Sequence, residues 1–229
     1  MPSPPSLPAI PEALAGMLPP ECRQMVMVTA PGERATMGRL WRCERGADMS
    51  WQSVDETATV RLGRHGLAWG LDEPLAAGCG VRRIKREGDG CSPVGVFAIP
   101  AAFGSRDAPA GLLLPYLRCT QHHWGIDDTR SRHYNRIVDA REVACDWVNP
   151  ETMIPGNGCY ELGAVIGHNP RCAPGAGSCI FFHVWQSPET PTSGCTAMSL
   201  PELRRLLLWL DPGKQPCLVQ FVLAGNEPE

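Results

Sequence analysis

The sequence has no dominant charge. Its 21 Lys and Arg stand against 24 Asp and Glu, a formal net charge of −3. A balance so close to neutral argues against a nucleic-acid binder. Long apolar runs are missing too. None approaches the ~18 residues that a membrane-spanning helix needs. The best candidates, residues 111–117 and 179–185, have the length of core strands. The N-terminus lacks a positively charged start followed by a continuous apolar stretch, so no secretory signal is visible in it. There is no internal repeat, and the glycines follow no triplet period, which excludes a collagen-like chain. What the sequence does have is breakers and thiols. Its 229 residues include 24 glycines, 23 prolines and 11 cysteines. A helical bundle or coiled coil does not tolerate so many breakers. A hydrophobic fraction of 43% with seven tryptophans excludes a wholly disordered chain. The cysteines lean towards an oxidising compartment, with metal binding or free buried thiols as alternatives. The chain is long enough to bury a core without disulfides.

Along the chain, residues 1–22 read as a proline-rich, extended lead-in, and residues 23–229 as a single domain. Alternating and continuous apolar segments recur about every ten residues between glycine-marked turns, the spacing of an antiparallel sandwich or barrel. The segment of residues 122–135 reads as a polar loop between two β segments. The one convincing helix lies near the end. Ser199 is placed to cap it, Pro201 and Glu202 fall in its first turn, and Leu203, Leu206, Leu207 and Leu210 share a face. Gly213 would end it. The expectation is a mainly β domain with one late α-helix.

The chemistry concentrates in residues 160–198. Cys195 follows a glycine and precedes the late helix. At a tight turn near a helix N-terminus, a thiol pKa is expected to fall. Gly194 permits close approach, and neighbouring backbone N–H groups would form an oxyanion hole. A cysteine nucleophile also needs a base, and His183 lies on an apolar strand twelve residues earlier. A core thiol and a satisfied strand histidine remain the plainer account of the pair. A second constellation shares these residues: His168, Cys172, Cys179 and His183 are four N/S ligands of the kind that suit a structural zinc. If His183 bound zinc it could not be the base, so the two readings exclude each other.

His183 followed by Thr192-Ser193-Gly194-Cys195-Thr196 resembles the signature of the L,D-transpeptidase (YkuD-like) catalytic domain. The resemblance extends to Gly90-Cys91-Ser92-Pro93-Val94-Gly95-Val96-Phe97, to the stretch from Asp127-Asp128 to Tyr134-Asn135-Arg136, and to the closing helix and strand. It covers roughly residues 24–223. Ser193 stands where the family usually has histidine. The resemblance implies a mixed β-sandwich or barrel of the L,D-transpeptidase type. It also implies acyl transfer on peptidoglycan stem peptides, with Cys195 as nucleophile, His183 as base, and Gly194 and Cys195 at the oxyanion. His168, Ser193, Trp185, Tyr134 and Asn135 would contact substrate, though Tyr134 and Asn135 equally suit a loop-fixing role and His168 a strand cap. Trp124 and Trp147 would line a groove or pack in the core. No metal or other cofactor is expected, and the location implied is the periplasm or cell envelope. A basic turn, Arg82, Arg83, Lys85 and Arg86, would meet acidic wall polymer or simply be solvated. The alternatives are a related cysteine carboxypeptidase or amidase that hydrolyses wall peptides, and a non-catalytic, zinc-stabilised wall-binding module.

Overall fold

The computed structural model describes residues 7–55, 57–70 and 79–223. The chain is mainly β. Among the described residues fifteen strands run in order: β1 (Gln24–Ala30), β2 (Met37–Arg45), β3 (Trp51–Ser53), β4 (Ala58–Arg61), β5 (Leu67–Trp69), β6 (Ser92–Ala98), β7 (Ala102–Gly104), β8 (Tyr116–Arg118), β9 (His123–Ile126), β10 (Arg136–Asp139), β11 (Glu151–Thr152), β12 (Gly163–Val165), β13 (Phe181–Val184), β14 (Thr196–Met198) and β15 (Cys217–Val222). Helix α1 (Glu12–Ala15) precedes them, and α2 (Leu200–Trp209) lies between β14 and β15.

Twelve strands form one sheet in the order β5-β6-β15-β1-β2-β4-β14-β13-β12-β7-β8, with β3 paired to β2. The spacing of apolar segments predicts antiparallel pairing, but the sheet is mixed. β1 with β15, β5 with β6, β7 with β8 and β13 with β14 all run parallel. Parallel neighbours need crossovers, and strand spacing along a sequence does not reveal them. The burial of β1 fits its place in the sheet: all seven residues of QMVMVTA are buried, including Gln24 and Thr29. Gln24 is satisfied there by bonds to Trp209 O (2.9 Å) and from the Asp211 N–H (2.7 Å), so it pins the end of α2 to the sheet.

Helix α2 forms as the leucine spacing predicts. The Ser199 hydroxyl accepts from the Glu202 N–H at 3.4 Å, and Leu203, Leu206 and Leu207 are buried in the main core. It stops at Trp209, before Gly213, which lies instead in a short 3-10 turn, Pro212–Lys214. Two further expectations change. The lead-in is not wholly extended: α1 buries Leu14 completely in the main core, and Leu7, Ile10, Met17 and Leu18 pack partly buried against the same core, so several apolar side chains together offset the cost of ordering the segment. The polar segment after residue 120 holds β9, the centre of a second, three-stranded sheet with β10 and β11. Its polar residues stay near the surface while His123, Gly125 and Ile126 turn inward, a half-buried strand that the charge density hides.

Strand β13 divides the molecule. Phe182 points into the main core, whereas Phe181 belongs to a second cluster with Phe103, Cys119, Met153, Cys159, Tyr160, Cys179 and Cys195. With a two-residue period, His183 falls on the same face as Phe181. The Tyr160 ring meets both edge-on, with centroids 5.7 Å from Phe181 and 5.4 Å from His183.

Candidate active site

The parallel pairing of β13 with β14 sets His183 opposite Ala197, two residues past Cys195. The strand thus brings the histidine and the thiol, twelve positions apart in sequence, to one face. Both line an open cavity of about 490 Å³. Gly194 (φ +145°) precedes the thiol in a conformation that favours glycine, and a Cβ there would lie 3.1 Å from the Cys91 carbonyl oxygen.

The turn carrying Cys195 is held from below. Thr192 Oγ1 accepts the Gly194 N–H at 3.1 Å and donates to the Cys195 carbonyl at 2.6 Å. Ser92 Oγ donates to the same carbonyl at 3.0 Å and accepts the Gly63 N–H at 2.9 Å. These bonds revise the expected oxyanion hole. The Gly194 N–H is committed to Thr192, which leaves the Cys195 N–H as the donor of the pair.

The thiol itself accepts from the Phe181 N–H at 3.3 Å and donates to the Cys179 carbonyl at 3.5 Å. It is buried, and burial pushes its pKa up to about 12, with the Glu151 carboxylate adding to the rise. The lowered pKa expected from the helix N-terminus is therefore not found. Cys195 precedes the first helical residue by five positions, and desolvation of the thiolate wins. His183 Nδ1 lies 2.8 Å from the Val184 carbonyl. A carbonyl only accepts, so Nδ1 carries the proton and Nε2 presents its lone pair. Burial lowers the His183 pKa, which keeps the ring neutral. The resting pair is a neutral thiol and a neutral imidazole, with no hydrogen bond between them among the described residues.

The remaining expected residues divide. Ser193 and Trp185 line the same cavity, and Ser193 Oγ accepts from Arg64 Nη1 at 2.9 Å. His168 does not reach it. The ring is buried against a second cavity of about 470 Å³, where Nε2 meets the Ala176 carbonyl at 3.0 Å and Phe97 packs on the ring at 5.7 Å. Tyr134 and Asn135 hold the intervening loop. The Tyr134 hydroxyl donates to Glu87 and accepts from the Gly177 N–H at 3.2 Å. Asn135 (φ +61°) donates to the His168 and Asn169 carbonyls and accepts from the Cys179 N–H, all at 2.9 Å. Since Cys179 supplies the carbonyl that the Cys195 thiol faces, Asn135 acts on the site at one remove. Asn135→Ala is expected to destabilise the protein by about 2–3 kcal/mol in chemical denaturation, from three lost bonds to buried main-chain groups.

His168 and His183 line different cavities, and no group of three or more possible metal ligands is gathered among the described residues. The four-ligand zinc constellation is thus not assembled. All eleven cysteines are free thiols. In the basic turn, Lys85 is buried and bonded to Asp89 at 2.6 Å, and Arg83 reaches back to the His65 carbonyl at 2.6 Å. Both are spent internally. Trp147 packs edge-on against His133 at 5.7 Å, and neither it nor Trp124 lines the cavity.

No family model, curated protein or solved structure matches the chain.

Several groups at the cavity carried no local signal in the sequence. Arg64, Glu87, Glu151 and Tyr160 come from separate segments and meet only on folding. Tyr160 donates to Glu151 at 2.6 Å, a contact across nine positions that no periodicity predicts.

Proposed function

We propose that this protein is a cysteine acyltransferase of the L,D-transpeptidase type acting on peptidoglycan stem peptides. The observation that carries the reading is the sharing of one open cavity by Cys195 and a His183 whose Nδ1 is fixed on a carbonyl. That arrangement leaves Nε2 as the proton acceptor. In the reaction, His183 Nε2 takes the thiol proton as Cys195 Sγ attacks the carbonyl of the third residue of a tetrapeptide stem. The C–N bond to the terminal D-Ala breaks, and the imidazolium returns the proton to the leaving amine. The Cys195 N–H donates to the oxyanion. A second amine then attacks the thioester and releases the thiol. A raised thiol pKa is compatible with this sequence, because proton transfer and attack proceed together rather than from a standing thiolate. Work on wall polymer would place the protein in the periplasm or cell envelope.

Incubation with a carbapenem-type acylating agent tests the reading by intact mass. One adduct is expected, mapped to Cys195 and absent from Cys195→Ala. An adduct that persists in that variant, or none on the unaltered protein, would reject the assignment.

A further inference from the structure

Two contacts fix the His183 ring, and one segment stands behind both. The ring's Nδ1 lies on the Val184 carbonyl at 2.8 Å. Val184 is held in turn by its own N–H, which donates to the Cys159 carbonyl at 3.0 Å. The next residue, Tyr160, sets its ring edge-on to the imidazole, with centroids 5.4 Å apart and planes at 87°. A single hydrogen bond leaves an imidazole able to tilt about that bond. An aromatic ring packed edge-on against it takes that freedom away.

Tyr160 is itself tightly placed. Its ring is buried and meets Phe103 at 5.6 Å and Phe181 at 5.7 Å, both edge-on. Its carbonyl accepts from the Ser105 N–H at 3.1 Å. Its hydroxyl donates to Glu151 at 2.6 Å. A hydroxyl buried in an apolar cluster needs such a partner, so the cluster and the bond together define one position for the ring. Glu151 belongs to β11, which pairs with β9 in the three-stranded sheet. A chain of contacts therefore runs from the second sheet, through Glu151 and Tyr160, to His183.

The base in acyl transfer meets the thiol proton in one geometry. An error of about 1 Å in such placement costs on the order of a hundredfold in rate. Among the described hydrogen bonds none joins His183 to Cys195: the thiol is bonded to Phe181 and Cys179 instead. The thiol thus does not hold the imidazole in place, and the packing around the ring does that work.

We propose that Tyr160, anchored by Glu151, is the positioning residue for His183, keeping Nε2 where it takes the proton of Cys195. The inference rests on the acyltransferase reading and deepens it. Tyr160 also lines the cavity, so direct contact with substrate is the competing role, and the experiment separates the two.

Tyr160→Leu removes the ring. Tyr160→Phe keeps the ring and releases it from Glu151. For D-Ala release from a stem tetrapeptide, kcat is expected to fall at least about thirtyfold in Tyr160→Leu and about fivefold in Tyr160→Phe, with KM within about threefold in both. Both substitutions are then compared in the unaltered and His183→Ala backgrounds, by the rate of carbapenem acylation at about pH 8. In His183→Ala they are expected to change the residual rate by less than about threefold, because the group through which Tyr160 acts is gone. If Tyr160→Leu does not fold, Tyr160→Phe carries both comparisons. Three results would overturn the positioning role: a kcat within twofold of the unaltered protein in the folded variants, a rise in KM in place of the fall in kcat, or an undiminished loss in His183→Ala. Carbapenem labelling of Cys195 on the unaltered protein is run alongside. If that fails, the acyltransferase reading fails and the positioning role falls with it. If it succeeds while any of the three results appears, only the positioning role is wrong.

Discussion

Replacing His183 by alanine is expected to lower acyl transfer by at least about a thousandfold at neutral pH, near the upper range for loss of a general base. The size follows from the thiol it serves. With a pKa of about 12, Cys195 is ionised in only roughly one molecule in 100,000 at pH 7. A cysteine activated by its surroundings would keep much of its reactivity without the histidine, but this one has nothing else to take its proton. The residual rate should therefore climb about tenfold per pH unit towards pH 11, as the thiolate fraction rises to its raised pKa. The unaltered protein should level off once His183 is neutral, at a pH below the ordinary histidine value, because burial lowers that group. Rates of carbapenem acylation across pH check both profiles. A flat profile for His183→Ala above neutral pH would show that the thiol is already ionised and that His183 has another role.

The second large effect is on folding. Gly63→Ala is expected to destabilise the protein by about 3 kcal/mol or more, the cost of forcing atoms into a filled space. A Cβ at Gly63 would lie 2.3 Å from the Gly90 carbonyl oxygen and 2.7 Å from the Ser92 nitrogen, both main-chain atoms that cannot swing aside. The disturbance would not stay local. Gly63 bridges to Thr192 and donates to Ser92 Oγ, and those two side chains hold the Cys195 carbonyl. Any variant that does fold should carry a misplaced thiol. Gly32→Ala serves as the control, since nothing lies within 4 Å of its Cβ, and its unfolding free energy in urea should change by less than about 0.5 kcal/mol.

How much of this was readable in the amino acids depends on the range over which each signal acts. Helix α2 was legible because capping and leucine spacing act within ten residues, and Ser199 and the three buried leucines take the expected places. Strands β1 and β13 were legible from continuous apolar runs. The parallel pairings were not, since register between distant strands leaves no mark in either one. The site divides in the same way. Cys195, Gly194, Ser193, His183 and Trp185 meet at one cavity because a turn and two adjacent strands carry them. His168, only fifteen residues from His183, is taken to another cavity by the loop that Asn135 clamps. The thiol pKa could not be read from position near a helix, because burial by Tyr160, Phe181 and their neighbours outweighs the dipole.

The strand order has a consequence for how the chain is made. β15 sits between β6 and β1, so the sheet's first and sixth strands are joined only through the last one. A ribosome delivers β15 after every other strand, and until it emerges β1 and β6 each present an open edge. The sheet therefore cannot close progressively during synthesis. Its completion waits on pairings almost the full length of the chain apart, the kind of topology that folds slowly and exposes strand edges meanwhile. Nascent chains stalled before residue 217 should behave as clients of holding chaperones rather than as partly finished sheets.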